Sequence, residues 1–412
     1  MTISKFNPWL IWFPAGIFYF YQYLLRVSPS VMKDDLMHDF GMNGAAFGLL
    51  ASFYYYGYSL LQIPLGSMAD YFGPRKLLAA ATLVCVIGTA MFAQATDLHV
   101  AQLGRFLIGL GSSCAFLGCL KFGTLWFPMS KLPLITSATI FIGTLGANFG
   151  GAPLKFLINY YDWRTALLIV AGLGILVAVA IWFISKDKEP DHTEEQGTLF
   201  EGLKWAITSP QILLGGLYGF FIYTPLSVFA DLWGAGFLEK VYSIPTAQAA
   251  GYVNLIYIGF GLGCMVYALA LVKWMSIPTA LKITAITIEI PFSILLLVPG
   301  LPLYVMGLIL FTLGVMISGR SLMFAFVCSH IPAKFSGATV GLINTFIMLS
   351  GVVFQPVAGR ILDYVSGGKI VGGVHVFEAG DYRKALIIVP ICLAAAFLVS
   401  LFFKESKIQH NA

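Results

Sequence analysis

Charged side chains occur inside long apolar stretches of this sequence. Arg26, Arg105 and Arg320 lie in such stretches, and so do the acids Asp231 and Glu289. A charge in an apolar environment needs a partner or water, so residues of this kind are functional candidates. The planar guanidinium group of arginine suits a carboxylate or a phosphate, and a buried carboxyl group can carry a proton. These residue types indicate binding of an anion and transfer of protons.

The stretch around Arg26 has further polar residues at helical spacing. Tyr19, Tyr23 and Arg26 share one face of a helix, because residues three or four positions apart are neighbours. This face predicts a substrate site in which Arg26 binds the negative group, with Arg320 as the second positive charge. Lys121 is another candidate for substrate binding. The alternative for Lys121 is a lysine that extends its ammonium group to the membrane interface.

Two further stripes of polar residues are predicted to line the same site. Tyr54, Tyr58 and Gln62 form one stripe, and Asn344 and Gln355 belong to the other. For the tyrosines, a position in the membrane interface is an equal alternative, since tyrosine combines an apolar ring with a polar hydroxyl group.

The two acids are the candidates for carrying a coupling proton, because burial favours the neutral form of a carboxyl group. The alternative for Asp231 is a salt bridge to a basic residue across an outer gate. The alternative for Glu289 is burial as a neutral acid on a scaffold helix.

The composition assigns the chain to a membrane. Hydrophobic residues make up 58% of 412 positions, charged residues only 10%, and the mean hydropathy is +0.85; soluble domains have roughly a quarter charged residues. The net charge of +5 comes from basic residues scattered between apolar runs, so no nucleic acid is expected as a partner. The six cysteines lie in apolar runs without metal-ligand spacing, and neither disulfides, a metal nor another cofactor is expected.

Apolar stretches of roughly 20 residues are needed to cross the hydrocarbon core of a bilayer. On this scale we predict twelve transmembrane helices, near residues 9–32, 44–70, 76–95, 98–122, 132–158, 164–184, 210–236, 247–271, 278–299, 302–329, 336–364 and 383–403. The polar segment 185–209 separates residues 1–184 from residues 210–412. The prediction is therefore an all-α membrane protein with two six-helix bundles, which form a weak repeat at an offset near 200 residues.

Basic residues in the loops favour one orientation of these helices. With the N-terminus in the cytoplasm, more Lys and Arg residues lie on the cytoplasmic side than outside. Both termini and the segment 185–209 are therefore predicted to be cytoplasmic. The short loops and the lack of any Asn-x-Ser/Thr sequence favour a bacterial inner membrane, and the chain is expected to be a monomer.

The turn between the second and third predicted helices combines glycines with charged residues. The glycines Gly66 and Gly73 permit a tight turn, and Asp70 is followed by its potential ionic partners Arg75 and Lys76. This run resembles the signature of the major facilitator superfamily at the same place. The resemblance implies a twelve-helix transporter with alternating access, in which these five residues form a cytoplasmic latch.

A second run, Arg105 with Gly109 and Gly111, resembles the fourth-helix pattern of that superfamily. The alternative for Arg105 is a structural role, capping backbone carbonyls of the first two helices. The residues from Tyr23 to Arg26 also resemble the first helix of the organophosphate and anion-cation symporter branches, in which this arginine contacts the anionic substrate. Organophosphate carriers have a second arginine in the seventh helix, and residues 210–235 contain none, which favours carboxylates.

Together these patterns predict a secondary active transporter in the lipid bilayer that imports a small organic anion with protons. The anion is a carboxylate-bearing metabolite, an amino acid or peptide derivative, or a carboxylate siderophore. One alternative is an anion exchanger or an efflux carrier, and another is a sensor or receptor that kept the fold without transport. An enzyme is not expected, because no cluster of acids or histidines is apparent at a membrane face.

Overall fold

The computed structural model describes residues 7–188, 199–332 and 335–405. These ranges are mainly helical, with one short antiparallel hairpin formed by β1 (Ile370–Val371) and β2 (Val374–His375). An apolar chain in a bilayer has no water to satisfy its backbone, and helices satisfy these groups internally. The all-α membrane fold is therefore confirmed.

The described part of the first half forms ten helices, and some predicted spans are divided between two of them. They are α1 (Pro8–Val27), α2 (Lys33–Asp39), α3 (Gly44–Gln62), α4 (Leu65–Phe72), α5 (Pro74–Gln94), α6 (Leu98–Ser112), α7 (Cys114–Trp126), α8 (Leu132–Gly150), α9 (Ala152–Tyr160) and α10 (Trp163–Ile184). A short 3-10 turn, Ser28–Val31, follows α1.

The described part of the second half also forms ten helices. They are α11 (Leu199–Thr208), α12 (Pro210–Ile222), α13 (Gly234–Tyr242), α14 (Thr246–Trp274), α15 (Ile277–Leu297), α16 (Leu303–Ile317), α17 (Leu322–Cys328), α18 (Ser336–Val365), α19 (Ala379–Leu386) and α20 (Ile388–Ser400). A π-helical segment, Pro225–Trp233, joins α12 to α13, and a 3-10 turn, Ser318–Ser321, joins α16 to α17.

The predicted spans correspond to these helices. Within the described ranges, nine helical segments are long and apolar enough to cross a membrane. The other three predicted spans fall on α1, α3 and α14, which have 20, 19 and 29 residues. The structure is thus consistent with twelve membrane helices.

Several helices begin at a polar residue that caps the first turn. The side chains of Asn7, Asn43, Asp97 and Asp162 accept hydrogen bonds from backbone N–H groups at the starts of α1, α3, α6 and α10. Such caps satisfy N–H groups that have no partner within the helix. They fix where each membrane helix starts.

Several predicted helices are divided in the structure, and two of the breaks have a clear local cause. The span 44–70 divides into α3 and α4 around Pro64, which has no N–H group to continue the helix. The span 132–158 divides into α8 and α9 at Gly151, whose backbone angles of φ −94° and ψ −112° are not helical. These breaks change the direction of the chain at the ends of the bundle.

The predicted repeat is visible in the packing of the two halves. A Cβ atom on Gly57 of α3 would lie 2.1 Å from the backbone oxygen of Phe106 in α6. A Cβ atom on Gly259 of α14 would lie 2.1 Å from the backbone oxygen of Phe311 in α16. Each half therefore has a crossing of this kind, at which glycine lets two membrane helices touch through their backbones.

The two halves meet along α3 and α18. A Cβ atom on Gly48 would lie 2.5 Å from the backbone oxygen of Gln355, and one on Gly359 would lie 2.1 Å from that of Gly44. We call the end of the bundle with Val27, Gly44 and Gly359 the Gly44 end, and the opposite end the Arg75 end. The absence of side chains at these glycines brings the two helices into direct contact.

Candidate functional site

Arg26 lies in the last turn of α1, where a positive charge is favoured by the helix dipole. Its side chain is only 5% exposed. The guanidinium group binds Asp231, with Nε at 2.8 Å and Nη2 at 2.7 Å from the same carboxylate oxygen, Oδ2. Asp231 is 2% exposed and belongs to the π-helical segment of the second half. This buried ion pair joins the two halves of the chain.

Three tyrosines complete the surroundings of this ion pair. Arg26 donates hydrogen bonds to the hydroxyl groups of Tyr55 (2.8 Å) and Tyr223. The hydroxyl of Tyr55 donates to Oδ2 of Asp231, and that of Tyr257 donates to Oδ1. We call these five residues the Arg26 cluster. Donors reach both oxygens of Asp231, which offsets much of the cost of burying the charge.

Arg320 occupies the 3-10 turn between α16 and α17. Its guanidinium carbon lies 4.6 Å from the ring centroid of Tyr223 and 5.2 Å from that of Phe260. The guanidinium of Arg26 lies 5.4 Å from the same ring of Tyr223. Among the described residues, the buried Nε of Arg320 has no hydrogen-bond partner. The two arginines predicted to bind the anion therefore approach one another around Tyr223.

A comparison with protein families identifies the fold. The model of the Major Facilitator Superfamily matches residues 15–356, most of the chain. The chain belongs to this superfamily. Its members are transporters, and the protein is a transporter of this superfamily rather than an enzyme.

Curated relatives of this superfamily member include bacterial transporters. The probable galactarate/D-glucarate transporter of Bacillus subtilis is 24% identical over 95% of this chain and 90% of its own length. An uncharacterized transporter of Bacillus subtilis is 33% identical over 39% of this chain, and the probable sulfoacetate transporter of Cupriavidus necator is 26% identical over 43%. These two are matched over only 37% and 41% of their own lengths.

Solved structures of the superfamily share the fold. A bacterial homologue of the human lysosomal transporter Spinster superimposes with a TM-score of 0.78 at 17% identity, covering 98% of this chain and all of that one. A nucleoside transporter gives a TM-score of 0.74 at 14% identity, covering 96% of this chain. At such identities the likeness concerns the fold alone.

The superfamily's fourth-helix arginine contacts the backbone of α1. Arg105 is buried, and its Nη1 and Nη2 donate to the carbonyl oxygens of Leu25 (2.8 Å) and Arg26 (3.3 Å). Its guanidinium also lies 5.3 Å from the ring centroid of Tyr54. Arg105 thus fixes the last turn of α1, which carries Arg26, so that it acts on the site through the backbone.

The glycines of the fourth-helix pattern lie at helix crossings. A Cβ atom on Gly109 would lie 1.8 Å from the backbone oxygen of Tyr54, and one on Gly111 would lie 2.3 Å from that of Ala81. These positions hold α6 directly against α3 and α5. The glycines that follow Arg105 therefore allow α3 and α5 to pack closely against α6 near the arginine.

The predicted tyrosines form an aromatic layer beside the Arg26 cluster. The rings of Tyr19 and Tyr23 are perpendicular, with centroids 5.2 Å apart. Tyr54 donates a hydrogen bond of 2.7 Å to Gln22, and the ring of Tyr58 lies 5.8 Å from that of Tyr54. All four tyrosines are buried rather than in a solvated rim. Their rings narrow the space around Arg26.

The predicted amides contact residues of both halves. Asn344 donates a hydrogen bond of 2.5 Å from Nδ2 to the side chain of Gln62, which joins α18 to α3. Gln355 donates from Nε2 to the backbone oxygen of Ser227 at 2.7 Å, inside the second half. Its Oε1 is buried and has no partner among the described residues.

Lys121 and Glu289 lie outside the Arg26 cluster. Lys121 is half-buried in α7. Glu289 lies in α15, where its Oε1 accepts a hydrogen bond of 3.1 Å from Ser293 and its Oε2 is buried. The two candidates for the proton carrier therefore differ in position. In the described contacts Asp231 lies beside Arg26, and Glu289 does not.

The superfamily signature at the Arg75 end forms a sharp turn. Gly73 has φ +77°, a conformation that favours glycine, and it separates α4 from α5. The backbone N–H of Arg75 donates to Asp187 at 3.0 Å, and its Nε lies 3.6 Å from the same carboxylate. The side chain of the predicted latch residue Asp70 lies outside the described residues.

Two other signature residues lie at the surface. Gly66 has open space where a Cβ atom would be, and the side chain of Lys76 is exposed. The acid that the structure places against Arg75 is Asp187, just after α10. The sequence analysis did not assign Asp187 a role. Residues 189–198 of the predicted 185–209 linker lie outside the described part of the chain.

Hydrogen bonds across the halves close the Gly44 end. The carboxylate of Asp363 at the end of α18 accepts from the backbone N–H groups of Gly44 (2.7 Å) and Ala45 (2.8 Å). It thus caps α3 from the opposite half. The buried Lys33 also donates from Nζ to the hydroxyl of Tyr382 at 2.9 Å. Sequence reasoning missed these contacts.

Sequence spacing could have identified part of the Arg26 cluster that the sequence patterns did not predict. Tyr223, Ser227 and Asp231 are four positions apart and so lie on one helical face that ends at the acid. Tyr55 and Tyr257 gave no comparable pattern, because each meets Asp231 only through the packing of separate helices.

Proposed function

We propose that this transporter carries a small organic anion into the cell together with protons. The observation that supports this most is the pair of arginines at Tyr223, of which Arg26 is buried and the half-buried Arg320 has no counter-charge among the described residues. A transporter for neutral or cationic solutes has no use for such a site, since an uncompensated charge in the membrane interior is unfavourable. An anionic group supplies the missing charge.

The relatives favour a carboxylic or sulfonic acid of few carbon atoms. Relatives of this chain are called transporters of galactarate and D-glucarate, sulfoacetate, tartrate and hexuronate. These compounds are small acids, and most carry several hydroxyl groups. The tyrosine hydroxyls and amides beside Arg26 offer hydrogen bonds for such groups. A small carboxylate is therefore the proposed substrate.

Asp231 is the proposed proton carrier. It contacts Arg26 directly, so its protonation changes the charge available to the substrate, whereas Glu289 lies in α15 outside the Arg26 cluster. In the proposed orientation both termini and the Arg75 end face the cytoplasm, and the Gly44 end faces outward. Residues 1–184 and 210–412 form the two moving halves of a monomer in a bacterial inner membrane.

Transport requires the Gly44 end to open to the outside. Opening would separate Asp363 from Gly44 and Lys33 from Tyr382, because both contacts join the two halves at this end. The substrate's negative group then has access to the two arginines at Tyr223.

The experiment that tests the proposed function is a thermal-unfolding screen of the purified protein. The panel contains D-glucarate, tartrate, hexuronates, sulfoacetate and shorter carboxylates, each with its neutral amide or alcohol analogue. At a concentration of about 100 Kd a ligand stabilises the folded state by about 2.7 kcal/mol. We expect at least one acid, and no neutral analogue, to raise the unfolding temperature. Stabilisation only by neutral or cationic solutes would contradict the proposal.

The helix cap at the Gly44 end gives a prediction for the Asp363→Ala variant. Loss of a helix cap costs about 0.5–2 kcal/mol, here in the closed state of this end only. We therefore expect the Gly44 end to be open more often. Ser30 is buried at this end, so a cysteine introduced there by Ser30→Cys reacts with an impermeant thiol reagent when the end is open. The measurement is the rate of this labelling, read by mass spectrometry.

The matched control for this prediction is Asp97→Ala. Asp97 accepts from two backbone N–H groups, those of His99 (2.9 Å) and Val100 (3.0 Å), but it caps α6 within its own half. Both variants are expected to lose stability, and only Asp363→Ala is expected to speed labelling at position 30. Equal labelling rates in the two variants would show that the Asp363 cap does not hold the halves together.

A further inference from the structure

Arg26 and Arg320 lie beside the same aromatic ring but differ in their partners. Their guanidinium carbons lie 5.4 Å and 4.6 Å from the ring centroid of Tyr223, so they are no farther apart than the sum of these distances. Arg26 is paired with Asp231 at 2.7 Å. In the described ranges Arg320 has no acidic partner, and its buried Nε makes no hydrogen bond.

This arrangement leaves one positive charge without a counter-charge. The Arg26–Asp231 pair is neutral as a unit, and Tyr55 and Tyr257 donate to its carboxylate. The nearby Arg105 has no acidic partner among the described residues either, but its Nη1 and Nη2 bind carbonyl oxygens of α1 and do not face the space around Tyr223. Because an unpaired charge is costly in the membrane interior, the site lacks one negative charge, at Arg320.

We propose that the resting site accepts an organic acid with one negative charge, and that an acid with two negative charges binds only when Asp231 takes up a proton. This inference rests on the proposed function. A monoanion binds Arg320 and leaves the Arg26–Asp231 pair intact. A dianion binds both arginines, and its second carboxylate takes the place of Asp231 on Arg26.

The charges balance in both cases. For the monoanion, one carboxylate faces the one unpaired guanidinium. For the dianion, a proton from water binds an oxygen of Asp231, which becomes neutral, and two carboxylates then face Arg26 and Arg320. Without that proton, three carboxylates would share two guanidinium groups away from water, which is unfavourable. Tyr55 and Tyr257 can still bind the neutral carboxyl group, because a tyrosine hydroxyl both donates and accepts.

Few other groups that titrate or carry charge surround Asp231. Those described from the elements packed against it are Arg26 of α1, Tyr55 of α3, Arg105 of α6, Tyr223 after α12 and Tyr257 of α14. The tyrosines and arginines hold their protons near neutral pH in such surroundings. In the described contacts Asp231 is the one acid at this place, so the proton taken up with a dianion is assigned to it.

The test compares acids that differ by one charge. Suitable pairs are D-glucarate with D-gluconate, tartrate with its monoamide, and sulfoacetate with 2-sulfoacetamide. Calorimetric titration of the full-length protein, in two buffers with different ionisation enthalpies, counts the protons taken up on binding. The titrations run from about pH 6 to about pH 8, where the carboxylates of the probes are ionised.

We expect each dianion that binds to take up about one proton, and its affinity to rise about tenfold for each unit of decrease in pH. The monoanions are expected to take up none and to bind independently of pH. In Asp231→Asn the amide stands for the protonated acid, so dianions should bind without proton uptake at every pH. The control variant Asp162→Asn, which neutralises the exposed acid that caps α10, should behave like the unchanged protein.

The outcomes separate the two proposals. Binding by none of the six acids overturns the proposed anion site and this inference with it. Binding of dianions without proton uptake, or equal uptake for both members of a pair, overturns the charge rule alone. Proton uptake that survives in Asp231→Asn also overturns it. If Asp231→Asn does not fold, the proton count of the unchanged protein still decides between these results.

Discussion

Replacing Arg26 with alanine is expected to weaken binding of a transported dianion roughly 10- to 150-fold, since a charge-assisted hydrogen bond contributes about 1.5–3 kcal/mol. The variant also leaves Asp231 buried without its cation, and breaking a buried pair in this way destabilises a protein by about 3–5 kcal/mol. Binding and folding would therefore both suffer in Arg26→Ala. The double variant Arg26→Ala/Asp231→Asn removes both charges and separates the two effects.

The measurement is the affinity for the dianionic acid that gives the largest thermal stabilisation. We expect the double variant to fold and to bind weakly, and Arg26→Lys to recover only part of the affinity, because lysine lacks the planar fork of donors. Arg164→Ala is the control. Arg164 forms an ion pair with Asp39, with Nη2 and Oδ2 3.4 Å apart, and it does not belong to the Arg26 cluster. Near-normal affinity in the double variant would mean that Arg26 does not bind the substrate.

Replacing Gly359 with alanine is expected to reduce transport more than tenfold, while the protein still folds. The new Cβ atom would lie 2.1 Å from the backbone oxygen of Gly44, much closer than two such atoms can approach. Since these residues belong to opposite halves, the strain is present only while the Gly44 end is closed. Overpacking of this kind costs about 1–3 kcal/mol, which shifts a balanced equilibrium between open and closed states by one to two orders of magnitude.

The matched control is Gly337→Ala in the same helix, where nothing lies within 4 Å of the new atom. It replaces glycine by alanine in the same helix without the clash. We expect Gly337→Ala to transport normally and Gly359→Ala to show faster thiol labelling at Ser30→Cys. Normal transport by Gly359→Ala would show that the close contact of α3 with α18 is not needed for closure.

The sequence predicted the membrane helices because their signal is local. Each span is a long apolar run, and its ends often coincide with a capping residue or a turn glycine. The breaks were harder to predict. Pro64 ends α3, yet Pro14, Pro291 and Pro356 lie within continuous helices, since neighbouring helices in a membrane tolerate a missing hydrogen bond. A proline in the sequence therefore does not by itself show where a membrane helix breaks.

The site was predictable only where one helix carried the pattern. Arg26 and Asp231 stand out as charges in apolar runs, but their contact joins residues 205 positions apart. The cap of α3 by Asp363 spans 319 positions. Such contacts depend on how two halves of the chain pack, and helical spacing within one segment contains no information about that arrangement.

We propose that the two arginines at Tyr223 make this protein a transporter of organic anions. The most direct measurement is uptake into liposomes containing the purified protein, with an inward proton gradient, of the acids and neutral analogues of the thermal screen. We predict accumulation of at least one acid, no accumulation of its neutral analogue, and loss of uptake in Arg320→Ala. Uptake of neutral or cationic solutes alone, or acid uptake that is unchanged in Arg320→Ala, would contradict the account.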